Sequence, residues 1–217
     1  HGEINVSEAL RDSCNYYFYE VGYRLATNNY STAYNDSLGI EKLQKYASLF
    51  GLNERTGIEI EEAAPQIAVA NEGTVYQYTL LNRLEDSDGN VLQTFEPQVR
   101  NQIDVLDTEE WNAIHSGMRM VVENTKEFDG FPIEAAGKTG TAQQNLKRPN
   151  HALFVGYAPY DDPEISIATR IAYGYTSHNA AKLARNVFAY YFNVENEDEL
   201  LNGQAANGNS SSNEISD

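Results

Sequence analysis

The stretch Ala135-Ala136-Gly137-Lys138-Thr139-Gly140-Thr141-Ala142-Gln143 sets one lysine, two hydroxyls and two glycines in a run flanked by small residues. A strand edge of this composition brings backbone N–H groups, hydroxyls and one ammonium close to a ligand. The glycines remove side chains that would block the approach. Two further strands are expected downstream, Leu153-Phe154-Val155-Gly156-Tyr157 and Ile165-Ser166-Ile167-Ala168-Thr169-Arg170-Ile171, with Asp161-Asp162-Pro163 turning between them. The stretch reads as the first strand of a meander with a polar rim.

Upstream, Asn5-Val6-Ser7-Glu8 has the form of a capping box and predicts a short helix from Val6 to Arg11. Asp12-Ser13-Cys14-Asn15 interrupts it with residues that favour caps and turns. A second helix follows, with Phe18, Val21 and Leu25 at helical spacing. A polar loop spans Thr27 to Ser37. A third helix is expected from Ile40 to Phe50, with Leu43, Tyr46, Ala47 and Phe50 on one face and Gly51 as its stop. Thr56-Gly57-Ile58-Glu59-Ile60-Glu61 alternates as a short strand would. Val75–Leu84 and Val91–Phe95 flank Asp86-Ser87-Asp88-Gly89-Asn90, a hairpin signal that Pro97 ends. Asp107-Thr108-Glu109-Glu110 opens a helix with Trp111, Ile114, Met118, Val121 and Val122 on one stripe. Asn179 to Phe192 predicts a closing helix whose Leu183, Val187, Tyr190 and Tyr191 face the sheet. From Glu195 on the chain is acidic and Asn/Ser-rich, the composition of a disordered tail. The pattern gives a domain over 1–194 and a tail over 195–217.

The formal charge of −17 argues against nucleic acid or an anionic membrane surface as partner. It leaves room for a small anionic substrate if a local cation such as Lys138 receives it. Fifteen tyrosines against eight phenylalanines suit half-wet clefts as well as cores. One cysteine, Cys14, excludes an internal disulfide and a cysteine-cluster metal site. His1, His115, His151 and His178 are scattered without ligand spacing, so no metal site and no cofactor is expected. No run approaches the eighteen or so apolar residues of a membrane span. The chain starts at His1 without methionine or leader and is expected to be part of a longer protein.

Lys138-Thr139-Gly140 alone is a common tripeptide, and Ser13 and Asn15 alone are ordinary cap residues. Together, and in this order, a Ser-x-Asn at a helix junction and a Lys-Thr-Gly strand are two of the three elements of penicillin-binding proteins and class A β-lactamases. The flanking text is similar as well. His1–Val6 leading to Ser13-Cys14-Asn15-Tyr16-Tyr17-Phe18-Tyr19, Leu38-Gly39-Ile40-Glu41 through Phe50-Gly51-Leu52, and Thr56–Glu59 resemble the second-motif region of class B penicillin-binding proteins. Ala136–Gln143 followed by His151-Ala152-Leu153-Phe154-Val155-Gly156-Tyr157-Ala158-Pro159 resembles the third-motif region. The likeness runs from His1 to about Phe192.

The resemblance implies an α+β transpeptidase fold, an antiparallel sheet flanked by helices, here without its N-terminal strands and nucleophile helix. It implies a serine-type D,D-transpeptidase that cross-links peptidoglycan stem peptides ending in D-Ala-D-Ala and is acylated by β-lactams. It further implies an N-terminal membrane anchor, an extracytoplasmic location and a wall-synthesis glycosyltransferase as partner. By the same resemblance Ser13 and Lys138 relay a proton, and Asn15 hydrogen-bonds the donor peptide. Thr139, Gly140 and Thr141 line the carboxylate and oxyanion sites.

Two departures stand out. No Ser-x-x-Lys precedes Ser13, so the nucleophile is absent from this chain. The isolated chain is accordingly expected to be inactive, marginally stable, and open along the strand edge at Ile165–Tyr173. Glu61-Glu62-Ala63-Ala64-Pro65-Gln66-Ile67-Ala68 also runs almost directly into Ala70-Asn71-Glu72-Gly73, where the family carries a longer segment. Two alternatives use the same residues: a D,D-carboxypeptidase or β-lactamase-like hydrolase, and a non-catalytic scaffold module.

Overall fold

The computed structural model describes residues 2–52, 68–196 and 200. The chain forms two compact units, one from His1–Cys14 with Glu109–Asp217 and one from Asn15–Thr108. The strand expected at Thr56–Glu61, the residues Pro65–Ile67, and the tail at 197–199 and 201–217 lie outside the described residues.

In the first unit, helix α1 spans Val6–Arg11 as its capping box predicts. The Asn5 side chain accepts the Glu8 N–H at 2.9 Å, and the Glu8 carboxylate accepts the Asn5 N–H at 2.9 Å. Helix α4 (Thr108–Glu123) buries Trp111, Met118, Val121 and Val122, the stripe its spacing gives. The two helices meet through small groups. Ser7 Oγ donates to the Ala113 carbonyl at 2.6 Å. A Cβ on Gly117 would sit 2.9 Å from the Leu10 side chain and 3.0 Å from Ser7 Cα.

Strands β5 (Ala136–Ala142), β6 (His151–Ala158) and β7 (Ile165–Ile171) form an antiparallel meander in that order. Among the described residues β5 and β7 are its two edges, as expected for Ile165–Tyr173. Gly137 faces Gly156 in register, and Lys138 faces Val155. The Phe154 ring needs both glycines: a Cβ on Gly137 would lie 2.3 Å from Phe154 Cζ, and one on Gly156 only 2.5 Å from the Ala136 carbonyl oxygen. Gly137 is therefore a packing residue, not the ligand-clearing glycine its motif suggested.

Helix α5 (Ser177–Tyr191) covers the sheet, but with another face than the one expected. Ala180, Ala181, Ala184, Phe188 and Ala189 are fully buried, whereas Leu183, Val187, Tyr190 and Tyr191 are exposed. The bulky stripe is the more hydrophobic, yet the alanines let the helix axis approach the sheet and leave room for Phe154 and Phe188. Phe128, on a short 3-10 helix (Lys126–Phe128), stacks on Phe154 at 5.8 Å and completes this core. Beyond α5, Glu195 is bonded to Arg185, so described structure reaches the first residue of the expected tail.

The second unit holds helices α2 (Asn15–Ala26) and α3 (Asp36–Leu49). Helix α3 starts four residues before the expected Ile40, because the Asn35 side chain caps the Leu38 N–H at 3.3 Å. The helices approach where Gly39 meets Ala26, at 3.1 Å from a built Cβ. Phe18 and Val21 of the stripe expected on α2, and Leu43 and Tyr46 of the face expected on α3, are exposed. The single long arm expected over Val75–Leu84 is two strands. Strand β1 (Thr74–Gln77) pairs with β4 (Gln98–Gln102), and only β2 (Arg83–Glu85) pairs with β3 (Val91–Thr94) across the predicted turn. Pro97 ends the hairpin, but a new strand starts at the next residue, a position where a missing N–H is tolerated.

Two outcomes follow from this packing. Gly117→Ala should destabilise the chain by about 1–3 kcal/mol despite alanine's better helix propensity, read as a lowered denaturant midpoint. The turn at Asp86 should be acid-sensitive. Asp86 Oδ1 accepts the Asp88 and Asn90 N–H groups and Oδ2 accepts the Asn90 side-chain amide, each at 2.9 Å. The Asn90 side-chain bond, then its backbone bond, holds the Asp86 carboxyl below its ordinary 3.8. A lowered folded-state value means the contribution is present above the unfolded carboxylate range and is lost as pH falls through the folded value. Amide protection in β2 and β3 should therefore drop between roughly pH 5 and pH 2, and Asp86→Asn should flatten that dependence.

Candidate active site

The site grows out of the α1 terminus. Cys14 N–H bonds the Ala9 carbonyl at 3.0 Å, closing the helix end, and Ser13 takes φ +46° in the turn so formed. That left-handed conformation is uncommon for a residue with a Cβ. Cys14 is buried against the first unit, and the Ser13 hydroxyl reaches β5. There Lys138 Nζ donates to Ser13 Oγ, across 125 residues of sequence, and to the Thr139 carbonyl at 3.1 Å. Thr139, Gly140 and Thr141 follow opposite Phe154, Leu153 and Ala152, half-buried to exposed along β5. Of the predicted site residues the structure thus brings Ser13 into contact with Lys138 and puts Thr139–Thr141 on the same strand. Asn15 is the exposed first residue of α2 and belongs to the second unit.

Sequence reasoning missed the supports. Arg119 on α4 donates to the Ala135 carbonyl at 3.2 Å and lies 3.4 Å from Glu123 and 3.3 Å from Glu134, fixing the chain where it enters β5. The i,i+4 spacing of Arg119 and Glu123 was legible; the reach to Ala135 was not. On β6 opposite Ala136, fully buried Tyr157 packs edge-on against His115 at 5.7 Å, and His115 lies 6.0 Å from Trp111. Among the described residues the buried Tyr157 hydroxyl has no hydrogen-bond partner, and burial pushes its pKa well above the ordinary tyrosine value. The remaining histidines lie apart: His151 contacts Gln144 and Tyr173, and His178 pairs with Glu127 at 2.9 Å. Among the described residues no group of histidine, cysteine or carboxylate side chains could hold a metal, and no helix is long and apolar enough to cross a membrane.

A hydroxyl bonded to an ammonium at a helix end, beside a strand at the edge of its sheet among the described residues, can pass a proton and receive an anion. The penicillin-binding protein transpeptidase domain matches this chain in two blocks, residues 1–68 and 62–189. The chain belongs to this family. The D,D-transpeptidase MrdA of Haemophilus influenzae is 29% identical over 256 residues, covering 89% of this chain but only 37% of that protein. Those 256 aligned positions outnumber the 217 residues here, so the relative carries residues with no counterpart in this chain. The family blocks meet at 62–68, where the sequence reading places its shortened segment. Penicillin-binding protein 2B from Streptococcus pneumoniae superposes with a TM-score of 0.74 at 20% identity, over 88% of this chain and 39% of that one. Penicillin-binding protein A of Mycobacterium tuberculosis, in its imipenem acyl-enzyme complex, gives 0.70 at 20% identity, over 88% of this chain and 48% of that one. The α+β fold of antiparallel sheet and helices is that of a transpeptidase domain, present in part.

Tyr157→Phe tests the orphan hydroxyl. Removing a buried donor that lacks a partner should leave stability unchanged or raise it by about 1 kcal/mol, read as an equal or higher thermal midpoint.

Proposed function

We propose that this chain is the C-terminal part of a peptidoglycan D,D-transpeptidase acting on stem peptides that end in D-Ala-D-Ala. The observation that carries the reading is the Lys138 ammonium hydrogen-bonded to the Ser13 hydroxyl. In the proposed reaction a serine outside this chain attacks the penultimate carbonyl. Its Oγ–C bond forms, the peptide C–N bond breaks, and D-alanine leaves with a proton relayed through Ser13 and Lys138. The amine of a neighbouring stem then attacks the ester, forms the cross-link and returns the proton to the serine. A β-lactam would take the first step and stop as the acyl-enzyme.

Asn15 is assigned to hydrogen-bonding the donor amide. Lys138, with the Thr139 and Thr141 hydroxyls, is assigned to the terminal carboxylate. The Thr141 N–H, with Gly140 leaving the strand edge open, supplies half of the oxyanion hole. The assignment is supported by β5 being an edge strand, whose outward backbone groups suit an extended peptide. We assign residues 1–194 to one partial transpeptidase domain and 195–217 to a segment of acidic, Asn/Ser-rich composition. The intact protein is placed at the outer face of the cell membrane through an N-terminal anchor, working beside a wall-synthesis glycosyltransferase.

The test is covalent labelling by a fluorescent penicillin. The 217-residue chain should give no labelled band. The same chain preceded by upstream sequence bearing Ser-x-x-Lys should label, and Lys138→Ala in that longer protein should slow labelling by about 100-fold or more. A labelled band from the short chain would place the nucleophile within it. A longer protein that never labels would favour the scaffold reading.

A further inference from the structure

His151 is a buried polar side chain at the far end of the candidate site, and the site chemistry does not use it. It faces Ala142 across β5 and β6, one position beyond the Thr141–Ala152 pair. Both ring nitrogens are engaged. Nδ1 lies 3.1 Å from the Tyr173 N–H and can only accept there, so it carries no proton. Nε2 is 3.2 Å from Gln144 Oε1, an acceptor, so Nε2 bears the hydrogen and donates. The ring also stacks against Tyr173 with centroids 4.9 Å apart.

The two groups it joins belong to different connections. Gln144 lies just past the end of β5, in the segment that leaves the Lys138–Thr141 strand. Tyr173 lies in the turn between β7 and α5, where Tyr173 has φ +55° and Tyr175 φ +66°. Two left-handed tyrosines this close together cost free energy unless the surroundings hold them. Two contacts hold them: His151 takes the Tyr173 N–H, and the Asn150 carbonyl takes the Tyr175 N–H at 3.1 Å. Arg148 lies over the Tyr173 ring at 5.2 Å and donates to its hydroxyl at 2.6 Å. Gly174 packs so tightly that a Cβ would stand 2.9 Å from that of Ala152.

We infer that His151 is a positioning residue for the candidate site: its neutral imidazole ties the exit of the Lys138–Thr141 strand to the β7–α5 turn and so fixes the end of β5 at Thr141. The inference rests on the reading of β5 as the substrate edge. Among the described residues β6 is the strand paired with β5, and the clasp adds a contact just beyond the end of that ladder. Asparagine and glutamine separate the two halves of the clasp. Asn Oδ1 stands where Nδ1 stands and keeps the Tyr173 bond; Gln reaches the Nε2 position and keeps the Gln144 contact; Phe keeps the ring volume and neither bond.

Amide hydrogen exchange on the 217-residue chain reads the clasp directly. His151→Phe should raise exchange at Tyr173 and at 141–144 about tenfold, the effect of one lost hydrogen bond, while amides in the centre of β6 stay within twofold. His151→Asn should restore Tyr173. If His151→Phe fails to fold, the Asn and Gln variants still decide: each must loosen one side and spare the other. An even rise across the whole sheet, or no change at Tyr173 and 141–144, overturns the clasp. In the longer protein bearing the nucleophile, His151→Phe should slow penicillin labelling at an unchanged thermal midpoint, and one of the two amides should recover it. Labelling at the wild-type rate overturns the positioning role. A wild-type protein that does not label at all refutes the proposed function instead, and the exchange result still judges the clasp.

Discussion

The first unit depends on one steric arrangement, the Phe154 ring lying across the place where two neighbouring strands have no Cβ. Gly137 and Gly156 face each other in register, and either one with a side chain would collide with Phe154 or with backbone. The ring fills the space between β5, β6 and an alanine-lined helix, in stacking contact with Phe128. Burial of Phe154, Phe128 and Phe188 around a surface of alanines gives the core its apolar area with short distances between the layers. Lys138 is the residue directly after Gly137. Its place on the sheet is therefore set by packing on the opposite face from its own chemistry.

The second constraint is topological. Ser13 and Lys138 are in contact although the whole second unit, residues 15–108, intervenes. Such a contact repays its loop-closure entropy only if both ends are held independently. Both are. Helix α1 is capped at its start, closed at its end by the Cys14 N–H, and seated on α4 through Ser7 and Gly117. Strand β5 is entered under the hold of Arg119 and paired along its full length with β6. The hydrogen bond joins two prearranged groups and does not have to gather them.

This division also separates what the sequence made legible from what it did not. Capping chemistry is local, so α1 was readable to the residue from Asn5 and Glu8. The turn at Asp86–Asn90 was readable for the same reason. The stripe of α4 was readable because its large apolar residues are also its buried ones. On α5 hydrophobicity and burial part company: alanines face the sheet and the larger chains face outward, so reading the bulkier stripe as the inner one inverted the helix. Strand β4 was missed because its partner β1 lies more than twenty residues upstream and neither strand alternates clearly. The pairing of Ser13 with Lys138 came from family likeness and not from any spacing. The Arg119, His151 and Tyr173 contacts had no local signal, since each joins segments whose proximity only the fold creates.

Electrostatics adds a last step. A chain with a net charge of −17 is a poor receptor for a carboxylate on average, yet averages act weakly at a site. Exposed charges more than about 8 Å away are largely screened at physiological salt. An ammonium within hydrogen-bonding distance, half-buried beside a strand edge, is screened far less and forms a charge-assisted bond. Lys138 is already oriented by the Ser13 hydroxyl and the Thr139 carbonyl, both neutral acceptors. Arg119, by contrast, stands between Glu123 and Glu134, and its charge is spent on structure. The two cations near β5 thus differ in the contacts described: Arg119 lies between two carboxylates at the entry to the strand, and the Lys138 ammonium reaches the Ser13 hydroxyl and the Thr139 carbonyl.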